Sequence, residues 1–241
     1  KFLYMLDNEI LRVKITGEYA CFTRPDLKVE RMTYPCMTPS AARGILDSIL
    51  WKPEFRWWIH RILVLKPITF FSIRRNEIKS KQSKNPIIIE DKRAQRNSIV
   101  LKDVEYIIEA SIYQNEFDAK NPPKKYAEMF KRRVKKGQCW RRPYLGTREF
   151  AAEFSEITGT EQPIQETIPI GSMLFDIFYN EKGQPAPLFF YDVAIVNGIL
   201  KCPKEENEKM MLSTHFQPDI QTEISAAIYE FNQNEEKEAK L

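Results

Sequence analysis

The sequence predicts an α+β fold whose first half is a ferredoxin-like β-α-β-β unit. Three features point there. Strand-like stretches rich in β-branched and aromatic residues outnumber helices and do not alternate regularly with them. A well-signalled helix starting at Thr38-Pro39 stands between the first strand and a pair of consecutive strands. A second, strongly basic helix opened by Pro122-Pro123 separates those strands from a run of hairpins.

Residues 11–16 (LRVKIT) alternate apolar and basic side chains up to Gly17, the period of a half-buried strand. The proline-bearing EYACFTRPDLKVERMTYPCM reads as extended chain and loop. Thr38 is placed to cap the next helix and Pro39 to open it, since a threonine oxygen can accept from a free first-turn N–H and proline has none to lose. Ala42, Ile45, Leu46 and Ile49 form its core face, and Trp51-Lys52-Pro53 ends it. Arg43 beside Gly44 admits two readings: a cation and bare backbone approaching a ligand, or close helix packing at the glycine.

Residues 56–73 (RWWIHRILVLKPITFFSI) read as two strand segments broken at Pro67, with His60 packed rather than catalytic. Residues 74–97, polar and basic, read as an excursion from the fold, compatible with a hairpin. Residues 99–113 resume strand character, and YLGTREFAAEF predicts another strand after the basic helix, with a turn or bulge at Gly146. MLFDIFY and PLFFYDVAI are strands joined as a hairpin, and Asn197-Gly198 turns VAIV back into ILKC. One more helix is expected near residues 220–232. The resulting division is 1–150 with the excursion 74–97 and the basic helix 122–137, a β-rich part 151–203, and a tail 204–241 with nine acids against four bases.

At 241 residues, 43% hydrophobic, the chain can bury a substantial core. Its apolar runs are far shorter than the roughly 20 residues a spanning helix needs, and no secretory pattern is expected at its start, so the reading is a cytoplasmic protein without membrane contact. The four cysteines form no CxxC pair, so neither a zinc site nor a disulfide framework is expected; the reading includes no metal and no cofactor. The net charge is only +4, but it is unevenly distributed. Residues 120–148 hold eleven Lys and Arg against one acid, Glu128, which selects a polyanionic partner.

Within that stretch Tyr126, Met129, Phe130 and Val134 recur at helical spacing. Lys125, Arg132 and Lys136 fall on one flank and Lys124, Lys131 and Lys135 on the outer face, while Arg133 lies beside the apolar side and is expected to snorkel outward. Trp140 between Cys139 and Arg141, then Arg142 and Tyr144, interleave aromatic planes with cations, which suits unstacked bases together with phosphates. A solvated lysine-rich helix is the alternative, weakened by the scarcity of interspersed acids.

The SAARGIL helix, WKP, RRNE after a strand pair and LGTREF after a basic helix, in this order, identify the chain by resemblance with the Cas-five family of CRISPR-associated proteins, subtype I-C, over about residues 10–200. The resemblance implies a ferredoxin-like RNA-recognition domain of the RAMP superfamily, a β-hairpin thumb at 74–97 and a smaller C-terminal β-rich part. It implies an endoribonuclease that cuts precursor CRISPR RNA in its repeat without a metal, through attack of the ribose 2′-OH. By the same resemblance the protein is expected to stay on the 5′ handle and to cap the Cascade complex beside its backbone and large subunits, meeting target DNA through that complex. The family's Lys-His pair falls on Lys125 and Tyr126, with Lys124 as the rival register, and its aromatic or His before WKP falls on Leu50. Leucine cannot move a proton, and tyrosine's ordinary pKa of about 10 is far from neutrality. Two expectations therefore stand: an enzyme with Lys125 and Tyr126 as catalytic residues, or a non-catalytic handle-binding subunit. Both use Lys28, Arg43, Arg74, Arg75, Lys124, Arg132, Arg141 and Arg148 on RNA, with Arg148 paired to Glu149 as its alternative.

Overall fold

In a computed structural model of the chain, the structure describes residues 9–27, 30–80, 86–114, 122–179 and 185–203. The elements run β1 (Leu11–Ala20), α1 (Pro39–Ile49), β2 (Phe55–Val64), β3 (Thr69–Ile78), the single turn α2 (Ile89–Lys92), β4 (Arg93–Gln114), α3 (Pro123–Lys135), β5 (Glu153–Ser155), β6 (Ile168–Tyr179), β7 (Pro185–Val196) and β8 (Ile199–Lys201). The expected acidic tail and its helix lie outside the described residues. Among those residues no helix is long and apolar enough to cross a membrane.

One mostly antiparallel sheet carries the α+β fold, in the order β5-β1-β4-β2-β8-β7-β6, with β3 paired to β4 alone. The 22-residue β4 serves two purposes. Its second part lies between β1 and β2, where the buried side chains of Tyr106, Ile108, Ala110 and Ile112 sit in the core. Its first part, residues 93–102, pairs with β3; Val100 and Leu101 are still buried in the core, and over residues 93–97 the two strands continue beyond it as a ribbon. Asp103, with φ of 53°, marks the change. The segment after residue 150 adds β5 to β8 to this same sheet.

The helix starts follow the local chemistry. Thr38 Oγ1 accepts from the Ala41 N–H at 3.2 Å and Pro39 takes the first helical position, so α1 begins where the capping rule puts it. Asn197 and Gly198, with φ of 49° and 73°, turn β7 into β8, since only residues tolerant of positive φ complete so short a hairpin.

The strand expected over residues 144–154 is instead a folded-back loop ending in the three-residue β5. The Leu145 N–H donates to the Phe150 carbonyl at 2.7 Å, which closes the loop on itself, and the Leu145 carbonyl accepts from the Cys21 N–H at 3.0 Å, which ties the loop to the end of β1. Gly146, at φ of 84°, lies where a Cβ would collide with the Cys21 carbonyl, so the turn requires glycine. Around Gly44, by contrast, a Cβ would meet nothing within 4 Å, and close helix packing there is not observed.

Candidate functional site

α3 turns one face inward and gives the other to solvent. Tyr126, Phe130 and Val134, four residues apart, are buried with Ala127. Phe130 packs on Trp57 with ring centroids 4.8 Å apart, and Tyr126 on Phe55 at 4.9 Å. That seating leaves Lys124, Lys125, Lys131, Arg132, Lys135 and Lys136 exposed. The first turn holds no acid and no side chain caps it. Lys124 and Lys125 therefore add to the positive end of the helix dipole, and an incoming anion would relieve that field. Lys131 is partly neutralised by Glu9 at 2.7 Å and Glu128 at 3.0 Å.

The carbonyls left over at the end of α1 hold the second part of the site. Arg133 Nη1 donates to the Ile49 carbonyl at 2.5 Å, and Trp57 Nε1 to that of Leu50 at 2.9 Å. The N–H groups of Trp140 and Arg141 both reach the Ser48 carbonyl, at 2.9 and 3.3 Å. Arg133 thus does not snorkel outward, because unpaired carbonyls at the negative end of a helix attract a cation more than solvent does. These bonds bring α3, the loop after it and the Trp51-Lys52-Pro53 turn to one end of α1. Trp51 and Trp140 emerge there 55% and 67% exposed.

The residues expected to meet RNA divide in two. Lys124, Lys125 and Arg132 on α3, Arg141 and Arg148 in the loop after it, and Arg74 on β3 are exposed. Arg43 and Arg75 are engaged by acids of the chain itself. Arg43 gives Nε and Nη2 to Asp176, the latter at 2.8 Å, and Nη1 to Asp47 at 2.9 Å. Arg56 adds Nη2 to the same Asp176 at 2.7 Å. Burial pushes the Asp47 carboxyl up, against the pull of Arg43. The guanidinium of Arg75 pairs with Glu149 and bonds Ser98 Oγ at 3.1 Å. Strand alternation decides this, since Arg74 faces out where Arg75 faces the loop that carries Glu149. Glu149 being taken, Arg148 has no ion-pair partner among the described residues. Lys28 lies outside the described residues.

Tyr126 is 3% exposed and Leu50 fully buried. Both are core residues, and the structure does not present Tyr126 as a solvent-facing proton carrier. His60 bonds Ser111 Oγ through Nε2 at 2.6 Å, which matches the packed reading. Among the described residues no group of three or more His, Cys, Asp or Glu could hold a metal ion. Sequence reasoning passed over the exposure of Trp51, the inward role of Arg133, and Asp176. Of these only Asp176 carried a signal, a lone acid in the apolar run MLFDIFY.

The family model of the CRISPR-associated protein Cas5 matches residues 10–183. A Thermus thermophilus protein named CRISPR pre-crRNA endoribonuclease Cas5d is 45% identical over 217 residues, 83% of this chain and 94% of that protein. A Mannheimia succiniciproducens protein of the same name is 41% identical over 215 residues, 80% of this chain and 94% of the relative. Among solved structures, a CRISPR-associated protein superposes with a TM-score of 0.61 at 22% identity, and a functionally uncharacterised Streptococcus mutans protein with 0.60 at 24%. Each covers 83% of this chain and 94% of its own, and at these identities the likeness is one of fold. With the family model spanning most of the folded chain and two relatives above 40% identity, this protein belongs to the Cas5 family of CRISPR-associated proteins.

Proposed function

We propose that this chain is a pre-crRNA endoribonuclease of type I-C that binds the CRISPR repeat, cuts it and remains on the 5′ handle. Two relatives that carry the name of that activity, at 45% and 41% identity, support the reaction class. The structural observation that carries the proposal is the solvent side of α3, where Lys124 on the outer face and Lys125 and Arg132 on the flank stand exposed on a helix anchored by Phe130 and Tyr126. Such a ridge neutralises successive phosphates.

In the proposed reaction the ribose 2′ oxygen loses its proton and attacks the adjacent phosphorus. The 5′ oxygen of the next nucleotide leaves and takes up a proton, giving a 2′,3′-cyclic phosphate and a 5′-OH. Lys125 neutralises the charge that develops on the phosphorane. Proton transfer by Tyr126 requires its hydroxyl to reach the strand, and its seat on Phe55 favours packing instead. That seat, together with buried Leu50, favours a second reading, a non-catalytic handle-binding subunit.

The strand order β5-β1-β4-β2, with α1 and α3 in the connections, supports a ferredoxin-like core. The ribbon of β3 and residues 93–102 of β4 is the proposed thumb. On this reading the chain caps a Cascade assembly, beside its backbone and large subunits, and reaches target DNA through it. Incubation with end-labelled repeat RNA in EDTA tests the proposal. A product ending in a cyclic phosphate, abolished in Lys125→Ala, is the expected result. RNA that is retarded on a gel yet intact establishes the binder instead.

A further inference from the structure

We infer that Trp51 and Trp140 form a stacking platform for two unpaired nucleobases of the RNA strand. The inference deepens the proposed repeat-binding function and rests on it. The two side chains come from different segments, the turn after α1 and the loop after α3, and the same helix end holds both. Trp140 is tied by its N–H to the Ser48 carbonyl at 2.9 Å. Trp51 follows Leu50, whose extended backbone ends α1 and whose carbonyl is held by Trp57. Lys52 next to it precedes Pro53, which keeps that residue extended.

The backbone under each ring is therefore fixed before any ligand arrives, and ordering it on binding costs little. A tryptophan with more than half its surface in water is a poor contributor to folding, and here two stand 55% and 67% exposed on a clamped framework. Their surroundings decide what covers them. Arg141 and Arg142 follow Trp140 directly, Lys52 follows Trp51, and Lys135 and Lys136 end the helix that leads to Trp140. Arg142 is held by Glu153 at 2.7 Å, and the other four cations have no ion-pair partner among the described residues. Aromatic faces ringed by such cations fit a ligand that alternates flat apolar rings with anions, which is a single nucleic-acid strand. An apolar protein surface would have to desolvate these cations without neutralising them.

The test uses the full chain and a short single-stranded RNA, alongside the same strand with abasic sugars at successive positions. Titration of the intact strand is expected to quench tryptophan fluorescence, and the quenching to fall when bases are removed and phosphates kept. Trp51→Ala and Trp140→Ala are each expected to weaken binding about 10-fold, within the range for loss of one stacked base. Trp140→Phe recovers most of the affinity, because phenylalanine keeps the plane. Equal affinity for intact and abasic strands, or tryptophan variants that bind RNA as the parent does, overturns the platform. Variants that instead lose only a co-purifying protein overturn it too. A parent protein that leaves repeat RNA uncut defeats the cleavage reading while the quenching result still stands, so the two failures are distinguishable.

Discussion

The guanidinium of Arg133 on α3 donates to the Ile49 carbonyl at the end of α1, at 2.5 Å. This bond joins the helix that carries the lysines to the helix end that carries the tryptophans. A cation at a helix C-terminus is favoured both by the unpaired carbonyl and by the dipole. Arg133→Ala is expected to lower unfolding stability by about 1.5–3 kcal/mol, the range for losing a hydrogen bond from a charged group. Urea denaturation checks it, and Arg133→Lys should restore part of the stability.

Asp176 is 6% exposed and holds two arginines that are themselves 29% and 28% exposed, Arg43 and Arg56. Removing its charge leaves both cations half-buried, with Arg43 still paired to Asp47. Breaking a fully buried pair costs about 3–5 kcal/mol, and the partial exposure of the arginines brings Asp176→Asn to roughly 2–3 kcal/mol. In the same assay Arg43→Ala should lower the unfolding midpoint, while its affinity for repeat RNA stays that of the parent.

Charge reversal on the solvent side of α3 should act on affinity and leave stability alone. Lys124→Glu and Arg132→Glu are each expected to weaken repeat-RNA binding and to reduce the slope of log affinity against log salt by about 1 for each phosphate no longer neutralised. Lys131→Glu should matter less, since Glu9 and Glu128 already hold that ammonium. Titrations over a range of salt distinguish these outcomes.

The Glu161 carboxyl is lowered to about 2, chiefly by the Thr158 N–H, with the Gly159 N–H and Thr158 hydroxyl adding to it. The folded pKa lies below the ordinary value of 4.5. The contribution to stability is therefore complete above that ordinary value and is lost as pH falls toward the folded one. Glu161→Gln should flatten this part of the acid limb, as read by thermal unfolding over a pH series.

Cys21, Cys36 and Cys202 are buried and Cys139 is exposed. Burial pushes the Cys36 thiol up to about 12 and raises that of Cys202. Alkylation of the native protein followed by mass spectrometry should modify Cys139 first, the others only on unfolding. Repeat RNA should protect Cys139, which precedes Trp140.

The elements written in local chemistry are legible in the chain itself. Thr38-Pro39 announces α1, the spacing of Tyr126, Phe130 and Val134 gives α3 its buried face, and Asn197-Gly198 places the last hairpin. Each depends on residues within a few positions of one another, so dihedral preference and periodicity suffice. The loop at 144–152 reads as a strand in the sequence because Gly146 is shaped by Cys21, more than a hundred residues away.

The sequence alone determined that a cationic ridge would exist and which residues of α3 would form it, because helical periodicity sorts side chains onto faces without reference to the rest of the fold. Only the tertiary structure decided which cations remain available. Arg43 is engaged by Asp176 and Arg75 by Glu149, whereas Arg148 is left facing solvent. Likewise only the folded chain sets Trp51 and Trp140 at one helix end. Ion pairing and aromatic exposure depend on which segments meet in space, and that is settled by packing of the whole core rather than by neighbours along the chain.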